Sequence, residues 1–139
     1  MFDEPRVIWA DFGLRPRAMV LAENERFVPL NTCYVVRIRR LDDACALAAI
    51  LNGPLATAWL NALAEPARGG YRRYLGWTMA MLPITTRWGR VRRVLSPLGE
   101  RAMQGDIPSD SELLEASLEA YGLKLDMVQP LLDWGIACD

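Results

Sequence analysis

The residues of this sequence best suited to chemistry lie together in one basic segment, RGGYRRY, at positions 68–74. The planar guanidinium group of arginine matches phosphates and guanine edges, and a tyrosine ring can stack on a base. The two glycines make the backbone flexible. The segment therefore predicts a surface that contacts nucleic acid, and the alternative is a solvated loop whose tyrosines anchor it to the core. The candidate residues are Arg68, Gly69, Gly70, Tyr71, Arg72, Arg73 and Tyr74.

Two further groups of arginines are candidates for contact with an anionic partner. Arg15 and Arg17 flank a proline in a predicted turn, which makes them second-rank candidates for phosphate contacts. A later group of four arginines is equally consistent with the solvated face of a helix. These four are Arg87, Arg90, Arg92 and Arg93.

Charge is distributed unevenly along the chain. Residues 1–101 carry a net charge of +6 and residues 102–139 carry −7, although the whole chain carries only −1. This split indicates a nucleic acid or another anionic partner for the first part. A basic surface that packs against an acidic one is the simpler explanation of the split. The use of arginine rather than lysine also follows from GC-rich coding.

Several chemistries are missing from the sequence. It contains no histidine, which excludes Ser-His and Cys-His nucleophile pairs and histidine-based zinc sites. No two glycines form a G-x-G turn, and no glycine precedes a lysine as in a P-loop. The three cysteines, Cys33, Cys45 and Cys138, form no C-x-x-C pair, so we expect buried thiols in a reducing compartment. These features predict a binding module with no metal, cofactor or catalytic residues of its own.

The elements that would position the arginines follow an α+β pattern. Apolar and alternating segments over residues 6–39 predict a small, mostly antiparallel sheet. A helix pair over residues 43–64, interrupted before Pro54, should pack on that sheet. Residues 91–134 form a predicted C-terminal helical segment, in which a capping box begins at Ser109.

Local signals give four finer expectations. The predicted strand over residues 27–39 alternates after Asn31, with Tyr34 and Val36 on one face and Cys33 and Val35 on the other, and Pro29 should lie before its paired part or on a sheet edge. Asp42 or Asp43 should cap the first helix. Residues 75–84 should form either a strand or a short helix. Pro97 should break the helix around it or separate two short helices.

Length and hydropathy suggest a single domain. A chain of 139 residues has room for one domain, which we expect to contain a core over residues 5–84 and a helical segment over 85–139. No apolar run approaches the ~20 residues that span a bilayer, and the N-terminus does not resemble a signal peptide. We therefore expect a cytoplasmic protein.

The order of motifs in residues 5–84 resembles the C-terminal target-recognition region of TaqI-like adenine-specific DNA methyltransferases and related restriction-modification enzymes. In that family an Asn-Thr pair on a strand precedes a bend of the Leu-Asn-Ser type, and an aromatic-rich segment ends in Pro-Ile or Pro-Leu. The matching positions here are Asn31-Thr32, Leu51-Asn52-Gly53, Gly69-Gly70-Tyr71 and Leu82-Pro83-Ile84.

The resemblance implies sequence-specific recognition of double-stranded DNA for an adenine methyltransferase. Residues 68–74 would then read DNA, and Arg15 and Arg17 would support them. The family's catalytic half carries the glycine turn that binds S-adenosylmethionine and an Asn-Pro-Pro-aromatic tetrapeptide that holds the flipped adenine. Both motifs are absent here. The resemblance thus implies a catalytic partner domain, in the same protein or a separate one, that uses S-adenosylmethionine.

A protein–protein interaction module is the alternative from a different functional class. In that interpretation the acidic C-terminal helices bind a partner, and the arginines form ion pairs within the protein.

Overall fold

The computed structural model describes residues 3–23, 25–26 and 32–137. It has the predicted α+β fold, with two small antiparallel sheets and six helices in the described ranges. In chain order the elements are β1 (Arg6–Ala10), β2 (Phe12–Gly13), β3 (Ala18–Leu21), β4 (Cys33–Arg37), α1 (Leu41–Asn52), α2 (Pro54–Leu63), β5 (Glu65–Pro66), β6 (Arg72–Arg73), α3 (Gly76–Met79), α4 (Trp88–Met103), α5 (Asp110–Tyr121) and α6 (Leu125–Ala137).

The larger sheet has the strand order β3-β1-β4, and both pairings are antiparallel. Val7 and Trp9 of β1 are buried on the face that packs against the helices. Val36 and Tyr34 of β4 lie directly opposite them and pack against the same core, which confirms the alternation predicted for this strand. Trp9 stacks on Tyr34 with ring centroids 5.6 Å apart. Pro29 lies outside the described residues.

Helices α1 and α2 form the predicted bent pair. Pro54 occupies the first turn of α2, where its missing N–H group removes no helical hydrogen bond. At the end of α1, the Asn52 side chain pairs with the backbone of β3. Its Oδ1 accepts from the N–H of Ala18 at 2.8 Å, and its Nδ2 donates to the carbonyl of Ala18 at 2.9 Å. Within the described part of the chain no single helix is long and apolar enough to cross a membrane, and only this pair, bent by 67°, meets that criterion when taken together.

The start of α1 differs from the prediction. Its N-cap is Arg40, so Asp42 and Asp43 lie in the first turn, and the expected aspartate cap is wrong. Asp43 instead accepts hydrogen bonds from Trp88 Nε1 at 2.8 Å and from Arg92 Nε at 2.6 Å, which joins α1 to α4. Burial alone would raise the pKa of Asp43, but these hydrogen bonds and the charge of Arg92 outweigh it and lower the pKa below its ordinary value of 3.8.

Helix α4 is continuous, so the predicted break at Pro97 is wrong. A proline inside a helix removes one backbone hydrogen bond, but Pro97 is exposed, which leaves room for water at that turn. The opposite face of the helix is buried: Val91 and Leu95 precede the proline, and Gly99 follows it. This buried stripe stabilises the helix through the position where its local sequence favours a break.

Close packing of α4 on α1 buries the thiol of Cys45. The absence of a side chain at Gly99 lets the two helix backbones approach each other there. Cys45 is fully buried, its Sγ donates to Met103 Sδ at 3.5 Å, and burial raises the pKa of the thiol to about 11. Cys33 is half-buried, and Cys138 lies outside the described residues.

The C-terminal helices share the core of the rest of the chain. The predicted capping box is confirmed, because Ser109 Oγ accepts from the Glu112 N–H at 3.1 Å and Glu112 Oε2 accepts from the Ser109 N–H at 2.8 Å. Helix α5 ends at Gly122, whose φ of 66° is left-handed. Leu113 and Ala120 belong to the same apolar cluster as β1 and α1.

A second, smaller sheet was not predicted. Its order is β2-β6-β5, and each of its strands contains two residues. The segment 68–74, expected to be a loop, therefore contains a strand. Strands this short carry no recognisable sequence period. Of the two alternatives for residues 75–84, the short helix is the one observed, as α3.

Candidate nucleic-acid interface

The two glycines of the basic segment shape a tight turn between β5 and β6. The reversal covers Arg68–Gly70, which has the hydrogen-bond pattern of a 3-10 turn but a non-helical backbone at Gly69, and the N–H of Ala67 donates to the carbonyl of Tyr71 at 2.8 Å across its base. Gly69 and Gly70 have φ values of 71° and 79°. Because residues with a Cβ rarely adopt this left-handed region, two consecutive glycines allow the chain to reverse here. Their observed role is to shape the turn, which projects the side chains around them.

The small sheet separates Arg72 from Arg73. Its register places Arg73 opposite Phe12 and Glu65, and Arg72 opposite Gly13 and a proline of β5. Directly opposed residues share a face of a sheet, whereas consecutive residues of a strand point to opposite faces. Arg73 is exposed and Arg72 is half-buried. The two arginines, which the sequence presents as one cluster, therefore do not form one contact surface.

An exposed aromatic pair lies on the same face as Arg73. Tyr71 contacts Phe12 with ring centroids 4.6 Å apart and ring planes at 36°, and the two residues are 38% and 45% exposed. The sequence predicts a buried or half-buried strand over residues 6–12, and Phe12 at its end is not among the predicted candidates. The period-two alternation of a strand was the available signal, because it places Phe12 on the face opposite to Val7 and Trp9. We call Phe12, Tyr71 and Arg73 the aromatic-basic face; the exposed Glu65 opposite Arg73 borders it and forms no ion pair with Arg73 within 4.0 Å in the described structure.

Tyr74 belongs to the core, so the expectation that it contacts DNA is wrong. It is fully buried, and its hydroxyl donates to Asn61 Oδ1 at 2.7 Å. Its carbonyl accepts from Trp9 Nε1 at 2.9 Å, and its N–H donates to the carbonyl of Asp11 at 2.8 Å. The ring has no accessible face for a base. Tyr74 has the alternative role stated from the sequence, that of anchoring the segment to the core.

Arg15 is committed to contacts within the protein. Its guanidinium forms a two-pronged ion pair with Asp110 at 3.1 and 3.2 Å, and its Nη2 donates to the carbonyl of Asn52 at 2.8 Å. These contacts join the start of α5 to the bend between α1 and α2. Because Asp110 already neutralises the positive charge of the Arg15 guanidinium, Arg15 is poorly suited to contact a phosphate. Arg17 is exposed and has no ion-pair partner among the described residues.

The basic segment is not neutralised by the acidic part of the chain. No ion pair within 4.0 Å joins any arginine of residues 68–73 to an acidic side chain in the ranges that the structure describes. Other arginines of the basic part do pair with acidic side chains of residues 102–139, as expected if a basic surface packs against an acidic one. Arg101 pairs with Glu112 at 3.0 Å and with Asp106 at 2.9 Å, and Arg15 pairs with Asp110 at 3.1 Å.

Comparison with known proteins adds no assignment. No protein-family model matches the chain, and a search of curated proteins finds no match. Among the described residues, no group of three histidine, cysteine or acidic side chains is placed to hold a metal ion. The case for function therefore depends on the geometry of the aromatic-basic face and its surroundings.

Proposed function

We propose that this chain recognises double-stranded DNA for an adenine-specific DNA methyltransferase whose catalytic domain, in cis or in trans, binds S-adenosylmethionine. The observation that carries the proposal is the aromatic-basic face, where two exposed rings share one side of a sheet with an arginine that has no described ion-pair partner. The order of motifs in residues 5–84 supports the assignment to a methyltransferase. In this proposal the chain itself performs no catalysis.

The side chains of the interface have different roles in the proposal. Arg73 and Arg68 contact phosphates or one guanine edge, and a two-pronged base contact provides about 1–3 kcal/mol of discrimination. The exposed rings of Phe12 and Tyr71 pack on the minor groove or insert at a base step, as apolar wedges do in bent duplexes. Arg72 lies on the other face of the sheet, so we expect a smaller contribution from it.

A salt titration tests the contribution of the arginines. We would measure the binding of a fluorescent 30-base-pair duplex pool of random sequence by anisotropy at several salt concentrations. Each phosphate contact contributes roughly 0.9 to the slope of log K against log salt, so Arg68→Ala/Arg73→Ala should lower the slope by up to about 2. Arg72→Ala should change it less. Lys124→Ala, an exposed change of one charge in the acidic part, is the matched control and should leave the slope unchanged.

Aromatic variants separate stacking from charge. Tyr71→Ala should weaken binding without changing the salt slope, because it removes contact area and no charge.

The proposal fails if the wild-type protein shows no salt-dependent binding. It also fails if Arg68→Ala/Arg73→Ala binds as tightly as the wild type while circular dichroism shows the same fold.

Protein–protein interaction is the second candidate, favoured by the surface of α6. This helix exposes Leu125, Met127 and Trp134 to 48%, 62% and 43% in the acidic part of the chain. Exposed apolar side chains among acidic ones are typical of a surface that binds another protein. Stoichiometric co-purification of a protein without nucleic acid, abolished by Met127→Glu/Trp134→Glu, would favour this candidate over DNA recognition.

A further inference from the structure

An apolar pocket of about 290 Å³ lies between α2, α5, α6 and the chain that follows α3. None of the residues of the aromatic-basic face lines it. Its walls include Leu55 and Trp59 of α2, Leu82, and Leu131 of α6. Ligand pockets of this kind are concave, mainly apolar, and contain few polar groups.

One buried polar group in the pocket has no hydrogen-bond partner among the residues that the structure describes. Ser117 of α5 lines the pocket and is only 2% exposed, and its hydroxyl makes no hydrogen bond within the described structure. A buried hydroxyl nearly always has a partner, because leaving it without one costs free energy. The other polar side-chain groups of the wall are already engaged. Trp59 Nε1 donates to the carbonyl of Met81 at 3.1 Å, and the Tyr121 hydroxyl donates to the carbonyl of Pro83 at 2.8 Å.

The same two hydrogen bonds keep the pocket open in a defined shape. They attach residues 81–83 to α2 on one side and to α5 on the other, and Leu82 between them is largely buried. The walls are therefore formed before any molecule enters. A preformed site avoids the entropy cost of ordering side chains on binding.

We propose that this pocket binds a small, neutral, mainly apolar molecule that carries one hydrogen-bonding group, and that the Ser117 hydroxyl, which is enclosed in the empty pocket, turns about its Cα–Cβ bond to contact this group. The volume is about twice that of a 150 Å³ cavity that holds one benzene ring, so a two-ring molecule fits. The segment that supplies Ser117 and Tyr121 belongs to the part of the chain with a net charge of −7, which disfavours an anionic ligand. This site is independent of the proposed DNA recognition.

Three naphthalene compounds test the proposal by amide NMR titration of the full chain. 1-Naphthol should bind saturably, with shifts at the Ser117 amide and the Trp59 indole. Naphthalene, which lacks the hydroxyl, should bind about two- to tenfold more weakly, and the anionic 1-naphthoate more weakly still. Ser117→Ala should remove the preference for 1-naphthol. Ser111→Ala, an exposed position on the same helix, is the matched control and should keep it.

Three results would overturn the proposal. The first is the absence of saturable 1-naphthol binding to the wild-type protein. The second is equal binding of 1-naphthol and naphthalene, or an unchanged preference in Ser117→Ala. The third is a fall of several degrees in the thermal midpoint of Ser117→Ala without ligand, because it would show that the hydroxyl already has a structural partner.

Discussion

Replacing Gly99 by alanine should destabilise the protein by forcing α4 away from α1. A Cβ at position 99 would lie 2.2 Å from the carbonyl oxygen of Cys45, 2.6 Å from its carbonyl carbon and 2.8 Å from its Cα. All three atoms belong to the backbone of α1, which cannot move aside as the end of a side chain can. The substitution therefore has to shift one helix against the other.

The expected loss can be estimated from two opposing effects. Overpacking in a core costs about 1–3 kcal/mol, and a clash with backbone belongs at the upper end of that range. Alanine is about 1 kcal/mol better than glycine inside a helix. The net loss for Gly99→Ala is then about 2 kcal/mol. With ~2.1 cal/mol/K of unfolding entropy per residue, a chain of 139 residues should lose about 7 °C in Tm.

The matched control is the same substitution in the first turn of the same helix. A Cβ at Gly89 would meet no heavy atom within 4 Å, so Gly89→Ala should stabilise the protein by about 0.4–1 kcal/mol. Urea unfolding followed by circular dichroism and tryptophan fluorescence would measure both variants against the wild type. If Gly99→Ala unfolds at the same or a higher urea concentration than the wild type, α1 and α4 do not approach each other as described.

Two further predictions concern ionisable groups. The lowered pKa of Asp43 contributes to the unfolding free energy at neutral pH, and this contribution is lost as pH falls below about 4 and through the folded-state pKa. The difference in unfolding free energy between wild type and Asp43→Asn should therefore be largest near pH 7 and shrink towards pH 3. A gap that is constant over this range would contradict the contacts with Trp88 and Arg92. Because burial raises the pKa of Cys45 to about 11, its thiol should stay protonated and resist iodoacetamide at pH 8, while the half-buried Cys33 reacts faster. Peptide mass spectrometry of a time course measures both rates, and equal labelling would refute the buried position of Cys45.

Local signals in the sequence predicted much of the helical structure. The capping box needs only Ser109 and Glu112, which lie within one helical turn, so its pattern is complete in the sequence. The bend before Pro54 is equally local. Pro97 shows the limit of such signals. Its local effect is to interrupt a helix, and the buried stripe that overrides this effect depends on the position of α1.

The candidate interface depends on contacts that are distant in sequence. Phe12 meets Tyr71 and opposes Arg73 only because the chain between them forms the large sheet and the helix pair. Tyr71 and Tyr74 have similar sequence surroundings, yet one is exposed and the other is fully buried. Tyr74 is held in the core by residues that are distant in sequence, such as Asn61, whose Oδ1 accepts from its hydroxyl, and Trp9, and no short window around Tyr74 contains them.

The turn at residues 67–71 is structurally separate from the contacts that hold its strands. The hydrogen bond from Ala67 to Tyr71 closes the turn, whereas the bonds of Tyr74 to Asp11 and Trp9 fix the base of the hairpin. Sequence changes inside the turn therefore leave the anchoring contacts intact. A turn of different length or composition could therefore replace residues 67–71. The surface presented there would change, while the core would remain the same.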